Sequence, residues 1–465
     1  MDRSPLLRAP TWAALALGLM SPWASSQASI EFFGVPGDKA IDLSADGLTV
    51  VGTLGTVNGF SWTSAGGLNV LPNSEVWGAS ADGSVLAGNP INGSGFAEGG
   101  VHEAGNWTFT GNFNQPGCDS SISHLFSMAD DGDTAVGMAW QGCDVVATRW
   151  TAAGGLEMLP QQSTNHWGRA NAVSGDGSVS VGWETDNGFQ RRAIVWWPDD
   201  AFEFLLEGTP GNPTGLGEVS HVNDDGSALC GISDSTAFRW TAGGGVELLP
   251  AAPSLFGEHY ANAISDDGDV VVGVSLAFPT LNAWIWTPGT GTVRLLDHLA
   301  SQGLTGLSAA ELGNATGVSP DGTKICGWGS SGAWLVTLDE PANPWSDVGN
   351  GLAGAQGVPT LTGAGPLTGG SLATLTLSDG VPGGTTNVVI GLTRLDGAFK
   401  GGGRVPAPAV GGAGLPLDPS GVFCFSFNWP LGVPSGVDTW WQHWMQDASG
   451  VLGWSASNGL QGTTP

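Results

Sequence analysis

The polar side chains best placed to do chemistry in this 465-residue chain stand at one fixed offset, seven residues ahead of each of seven Asp-Gly pairs. They are Lys39, Glu75, His124, Arg169, Glu218, Tyr260 and Asn314. The position after them is small or apolar every time: Ala40, Val76, Leu125, Ala170, Val219, Ala261 and Ala315. A position kept for packing alone tends to repeat its residue type. This one holds two acids, two bases, a histidine, a phenol and an amide, the variety of a ligand-binding site or of a solvated rim. Asp38, His166, Trp167, Glu258 and His259 share the same loops, and Trp140, Trp183 and Trp328 follow nearby. Trp167 and Trp183 are the aromatic candidates for ligand contact.

Glu218, Glu75 and Glu258 could supply the paired carboxylates of a polysaccharide hydrolase, whose separation no sequence gives. A sialidase would need three converging arginines, whereas here Arg169 and Tyr260 stand alone. The clusters Asp130/Asp131/Asp133 and Asp266/Asp267/Asp269 resemble calcium loops, but no twelve-residue ligand loop with a closing Glu follows, so turn capping is the expected role of the Asp-Gly carboxylates. No His-Glu-x-x-His motif, Gly-x-Ser-x-Gly elbow or phosphate loop occurs. The motifs ask for no cofactor or metal. Trp440, Trp441, His443 and Trp444 could form a sugar platform, but in a strand they alternate faces and at least half must be buried.

The elements that position the seven residues follow from the repeat itself. The pairs Asp46-Gly47, Asp82-Gly83, Asp131-Gly132, Asp176-Gly177, Asp225-Gly226, Asp267-Gly268 and Asp321-Gly322 each have a second Gly six residues after the Asp: Gly52, Gly88, Gly137, Gly182, Gly231, Gly273 and Gly327. Asp-Gly between apolar alternations predicts a tight hairpin. After five of these hairpins comes an aromatic strand such as Ala237-Phe-Arg-Trp240-Thr241, then a Gly-rich turn and a further apolar strand. Four short strands at intervals of 36 to 54 residues predict the blades of a β-propeller, which must stack around an axis to bury both faces.

The seventh repeat lacks its fourth strand. Ile30 to Pro36 precedes the first repeat with the Pro-to-Asp offset that separates Pro72 from Asp82, so the N-terminal strand is expected to complete the seventh blade and remove an exposed edge. In the second repeat the aromatic pattern lapses between Asn89 and Gly105, and irregular outer strands are expected there. No helix is expected beyond the leader, except one turn over Leu304, Leu307 and Leu312. The rhythm stops at Asp339-Glu-Pro-Ala-Asn-Pro344, after which about eight antiparallel strands predict a β-sandwich.

Composition agrees with export. Residues 1–28 read as a signal peptide with an apolar stretch too short to span a membrane, leaving a propeller over 29–340 and a sandwich over 341–465. A formal charge of −29 disfavours nucleic acid and anionic lipid as partners. Cys118 and Cys143 flank the third hairpin in polar loops and are expected to form a disulfide. Cys230, Cys326 and Cys424 read as small core residues.

The segments Asn262 to Gly273 and Ala237-Phe-Arg-Trp-Thr241 resemble the HAF family of extracellular repeats over about residues 30–338. The tail from Trp345 to Pro465 resembles a C-terminal β-sandwich module of exported bacterial proteins. These resemblances imply export and fold and carry over no catalytic residue. The expectation is an all-β secreted or cell-surface protein, binding a glycan or protein ligand at the propeller mouth, with a polysaccharide-acting hydrolase as the alternative.

Overall fold

A computed structural model describes residues 28–464 apart from 114–121, 163–166, 200, 211, 213, 253, 256, 278–279, 339–343, 368, 370 and 431. The expected signal peptide, His166 and Cys118 of the expected disulfide therefore lie outside the described residues. The chain divides into two compact units, Met1–Asp339 and Glu340–Pro465.

In the first unit the described residues form seven four-stranded antiparallel sheets. The sheet Gly217–Val222, Ala228–Ser233, Thr236–Thr241 and Gly245–Leu249 is typical, its strands pairing in chain order. The set containing Asn314–Val318, Lys324–Gly329 and Gly332–Thr337 takes its fourth strand from Ser29–Phe33, with Ser29 opposite Thr337 and Phe33 opposite Ala333. The first strand of each sheet packs beside the first strand of the next, and Asn314–Val318 packs beside Lys39–Leu43. Side chains cross these joints: Asn171 Nδ2 donates to Val219 O (2.7 Å), Asn262 Nδ2 to Ala315 O (2.7 Å) and Thr316 Oγ1 to Ala40 O (3.1 Å).

The Asp-Gly turns do the capping their sequence implies. In all seven, the Asp Oδ1 accepts the backbone N–H two residues on at 2.8–2.9 Å, and the following Gly has φ between 67° and 76°.

The second repeat corrects an expectation. Gly100–Glu103 and Asn106–Phe109 are regular strands of a complete sheet. In other repeats an aromatic from the third strand, such as Phe60, Phe238, Trp284 or Trp334, covers the second Gly; here Trp107 from the fourth strand covers Gly88. The aromatic has moved one strand outward and the packing is kept.

A helix forms at Leu295–Ser301, upstream of the expected single turn, because Leu295 and Leu299 at i and i+4 bury together against Leu312 and Val272. Among the described residues the free cysteines are Cys230, Cys326 and Cys424. Cys230 and Cys326 are buried as expected. Cys424 is exposed: Phe423 and Phe427 of its strand pack against the core, so alternation turns Cys424 outward.

The described residues of the second unit form three antiparallel sheets, of six, three and two strands, and buried residues of the larger two form one core, including Trp345, Leu361, Leu375, Trp441 and Met445. Its described residues hold eleven strands rather than eight, the surplus including three-residue strands. Trp440, Trp441, His443 and Trp444 are all buried, which removes the sugar-platform expectation. Trp441 joins the core; on the other side Phe399 meets Trp444 edge-on at 5.0 Å and Arg394 lies over Trp440. Gln442 between them makes five hydrogen bonds, accepting from Val405 N and Trp444 Nε1 and donating to the carbonyls of Asn350, Gly403 and Ser457.

Candidate functional site

The site begins with a defect repeated seven times. In each first strand the pairing skips one residue: Ala40 pairs Gly52 and Asp42 pairs Val51, so Ile41 is bulged out of register. The same skip falls at Trp77, Phe126, Asn171, Ser220, Asn262 and Thr316. A bulge re-aims a side chain without breaking the strand. All seven bulged residues line a single cavity of about 320 Å³.

The second Gly of each repeat makes room for this geometry. A Cβ at Gly52, Gly88, Gly137, Gly182, Gly231, Gly273 or Gly327 would collide with the carbonyl oxygen of Lys39, Glu75, His124, Arg169, Glu218, Tyr260 or Asn314, respectively. Each candidate residue is thus held by its backbone against a glycine that no larger residue can replace without displacing it.

Of the seven, Arg169, Glu218 and Asn314 line the cavity. Arg169 Nε donates to Asn171 Oδ1 at 2.6 Å, and its guanidinium lies over Phe126 (5.1 Å) and Trp183 (5.8 Å). Burial pulls the Arg169 pKa below its ordinary value, while Glu218 opposes the shift. Glu218 Oε2 accepts from Arg191 at 3.0 Å, and Arg191 stacks on Trp183 at 4.4 Å. Glu218, Arg191 and Tyr260 also line an adjoining cavity of about 270 Å³. Tyr260 donates to Glu258 Oε2 at 3.0 Å, and its phenol is pushed up to about 12 by burial and by that carboxylate.

Lys39, Glu75, His124 and Asn314 make local contacts. Lys39 Nζ sits 5.0 Å above the Trp328 ring. Glu75 accepts from Trp77 Nε1 at 3.1 Å, and burial holds the His124 pKa below its ordinary value against the pull of Glu75. Asn314 accepts from Asn262 at 2.8 Å. Trp167 is 42% exposed and meets Phe189 edge-on at 6.1 Å, whereas Trp183 is buried beneath the two arginines. Asp38 is occupied by the backbone N–H groups of Val35 and Gly55.

The sequence reading missed the far end of the cavity. Asp130, Asp224 and Asp266 line it, as does Asp42. The three precede the capping Asp of their turns, so the doublets Asp130-Asp131, Asp224-Asp225 and Asp266-Asp267 supply one carboxylate more than the turn uses. Burial, then Asp130 and Asp266, push Asp224 up to about 7. Asp42 is pushed up to about 6 by burial, against the backbone N–H groups of Leu43 and Ala79. Asp130 is also raised, by burial and then by Asp266. The backbone N–H of Asp224 donates to Asp266 Oδ1 at 3.0 Å. Among the described residues no three His, Cys, Asp or Glu side chains converge as a metal site.

The arrangement is a polarised chamber: Arg169 at one end, Trp77 and Phe126 edge-to-face at 5.4 Å on one wall, and carboxylates at the other end. It can bind, orient and desolvate a polar ligand.

No family model matches the chain, and no curated protein matches it. Among solved structures it is similar to TolB from Acinetobacter baumannii, at 12% identity over 56% of this chain and 64% of that one, with a TM-score of 0.35. It is also similar to a putative TolB from Agrobacterium tumefaciens, at 16% identity over 50% of this chain and 90% of that one, with a TM-score of 0.33.

Proposed function

We propose that the first unit is a seven-bladed β-propeller of HAF-type repeats closed by the strand Ser29–Phe33, and that it serves an exported protein as a binding module. The second unit is a β-sandwich appended to it. The ligand, a glycan or a protein, enters at the Arg169, Glu218 and Tyr260 end of the chamber. The observation carrying this reading is the seven-fold bulge. An identical backbone device presents Ile, Trp, Phe, Asn, Ser, Asn and Thr to one cavity, a constant scaffold with varied chemistry, as recognition requires.

Hydrolysis would need a carboxylate free to attack or activate water beside an acid that holds its proton. Glu218 is engaged by Arg191 and Glu258 by Tyr260, an arrangement suited to holding a ligand, whereas Asp224, raised to about 7 beside Asp130 and Asp266, meets the acid requirement and keeps a polysaccharide-acting hydrolase as the second reading. Export fits the acidic composition and the leader-like N-terminus, and a Cys118–Cys143 bond would suit that compartment. Among the described residues no helix is long and apolar enough to cross a membrane.

The test is a glycan array and a pull-down from extracellular medium with the full chain, beside a Glu218→Ala plus Tyr260→Ala variant. A ligand retained by the wild type and lost by the folded variant supports the reading. Undiminished binding by the variant refutes it.

A further inference from the structure

We propose that the chamber takes a protonated amine or guanidinium at the tip of a slim unbranched chain, its N–H groups directed at Asp130, Asp224 and Asp266. This rests on the chamber being the ligand site.

Four observations carry it. First, the acid end lacks a basic partner: Arg169 is the one Lys or Arg among the residues lining the cavity, and it is tied to Asn171 at the opposite end. Carboxylates gathered this way are stabilised by an incoming cation. Second, His221 lines the same cavity with a solvent-shielded Nδ1 that has no hydrogen-bond partner. Burial brings its pKa down to about 4, so the ring is neutral and adds no repulsion. A buried polar atom left unpaired is costly unless something supplies a partner. Third, the carboxyls lie close together without forming a metal site among the described residues: Asp224 is in side-chain hydrogen-bond contact with Asp266 and is repelled by Asp130. Such neighbouring acceptors match a group carrying several directional N–H donors, as an ammonium or guanidinium does.

Fourth, the edge-to-face pair Trp77–Phe126 gives the chamber an aromatic wall. Such a wall suits an alkyl stem and a passing cation. The whole-chain charge of −29 attracts cationic ligands toward the mouth. The stem can belong to a lysine or arginine of a peptide or to a free polyamine.

The experiment is calorimetric titration of the full chain with acetyl-Gly-Lys-Gly-amide, the same peptide acetylated on the lysine Nζ, and cadaverine. Wild-type protein is compared with an Asp130→Asn plus Asp224→Asn variant whose melting is checked in parallel. The free-amine probes should bind the wild type, and either lysine acetylation or the paired Asn substitution should weaken binding by about tenfold or more. Preference for the peptide identifies a protein source and preference for cadaverine a free polyamine. Equal binding of the acetylated peptide, or binding unchanged in the Asn variant, overturns the proposal. Should the double variant fail to fold, Asp224→Asn alone and the acetylated probe on wild type decide the matter. A ligand found by array or pull-down that is lost on Glu218→Ala plus Tyr260→Ala yet indifferent to the Asn pair would refute this inference while leaving the binding function standing.

Discussion

Replacing Asp42 by Asn should stabilise the protein in alkaline solution and not in acid. Asp42 is walled in at the acid end of the chamber, and its pKa rises from 3.8 to about 6. Between those values the native state holds a proton that the unfolded chain has released, so stability falls as pH rises across this window. Above it the full penalty is present, about 3 kcal/mol for a rise of that size. Asn cannot ionise, and its amide oxygen still faces the backbone N–H groups of Leu43 and Ala79. Losing the second acceptor oxygen costs about 1 kcal/mol. The net gain at pH 8 is therefore about 2 kcal/mol, shrinking to nothing or reversing near pH 4.5. Denaturant unfolding followed by tryptophan fluorescence, at pH 4.5 and at pH 8 for both proteins, measures the difference. A stability difference that does not change with pH would refute the reasoning.

Gly231→Ala should cost about 3 kcal/mol or more, because its Cβ meets the Glu218 carbonyl and neither strand can yield; thermal melting would show it, with ligand binding at Glu218 impaired in whatever folds. Gln442→Leu should destabilise the C-terminal unit by roughly 3 kcal/mol, since five polar partners, three of them in buried bonds, lose their partner together; limited proteolysis of that unit is the readout. The melting temperature should peak in mild acid. Asp82 and Asp225 are held below their ordinary pKa by hydrogen bonds from Ser84 and Ser227, so their contribution is present above about pH 4 and lost as pH falls further. Asp42 and Asp224, both raised, withdraw stability as pH climbs from 4 toward 7. A melting temperature that rises steadily from pH 4 to 8 would contradict this.

The sheets were legible in the sequence because Asp-Gly and the second Gly each do one irreplaceable thing: the first pair turns the chain, and the second Gly admits a carbonyl oxygen. The chamber was less legible. Counting back seven from each Asp led to the residue entering the first strand, of which Arg169, Glu218 and Asn314 line the cavity, while the bulge aims the residue five before each Asp into it. No residue type marks a bulge, and its trace in the sequence is the glycine opposite. The doublets Asp130-Asp131, Asp224-Asp225 and Asp266-Asp267 did carry a signal, since a turn uses one carboxylate. The burial of Trp440 and Trp444 was not legible. The residues that cover them, Arg394 and Phe399, lie 46 and 45 positions upstream, and nothing local announces the pairing.

The central claim, that a ligand occupies the chamber lined by the seven bulged residues, is tested most directly by filling it. Ser220 is the smallest polar residue on that wall and is half-buried, so Ser220→Trp plugs the cavity from a position whose backbone need not move. Titration of the identified ligand into this variant should show binding abolished with the melting temperature within a few degrees of wild type. Binding at wild-type affinity in the plugged protein would contradict the account.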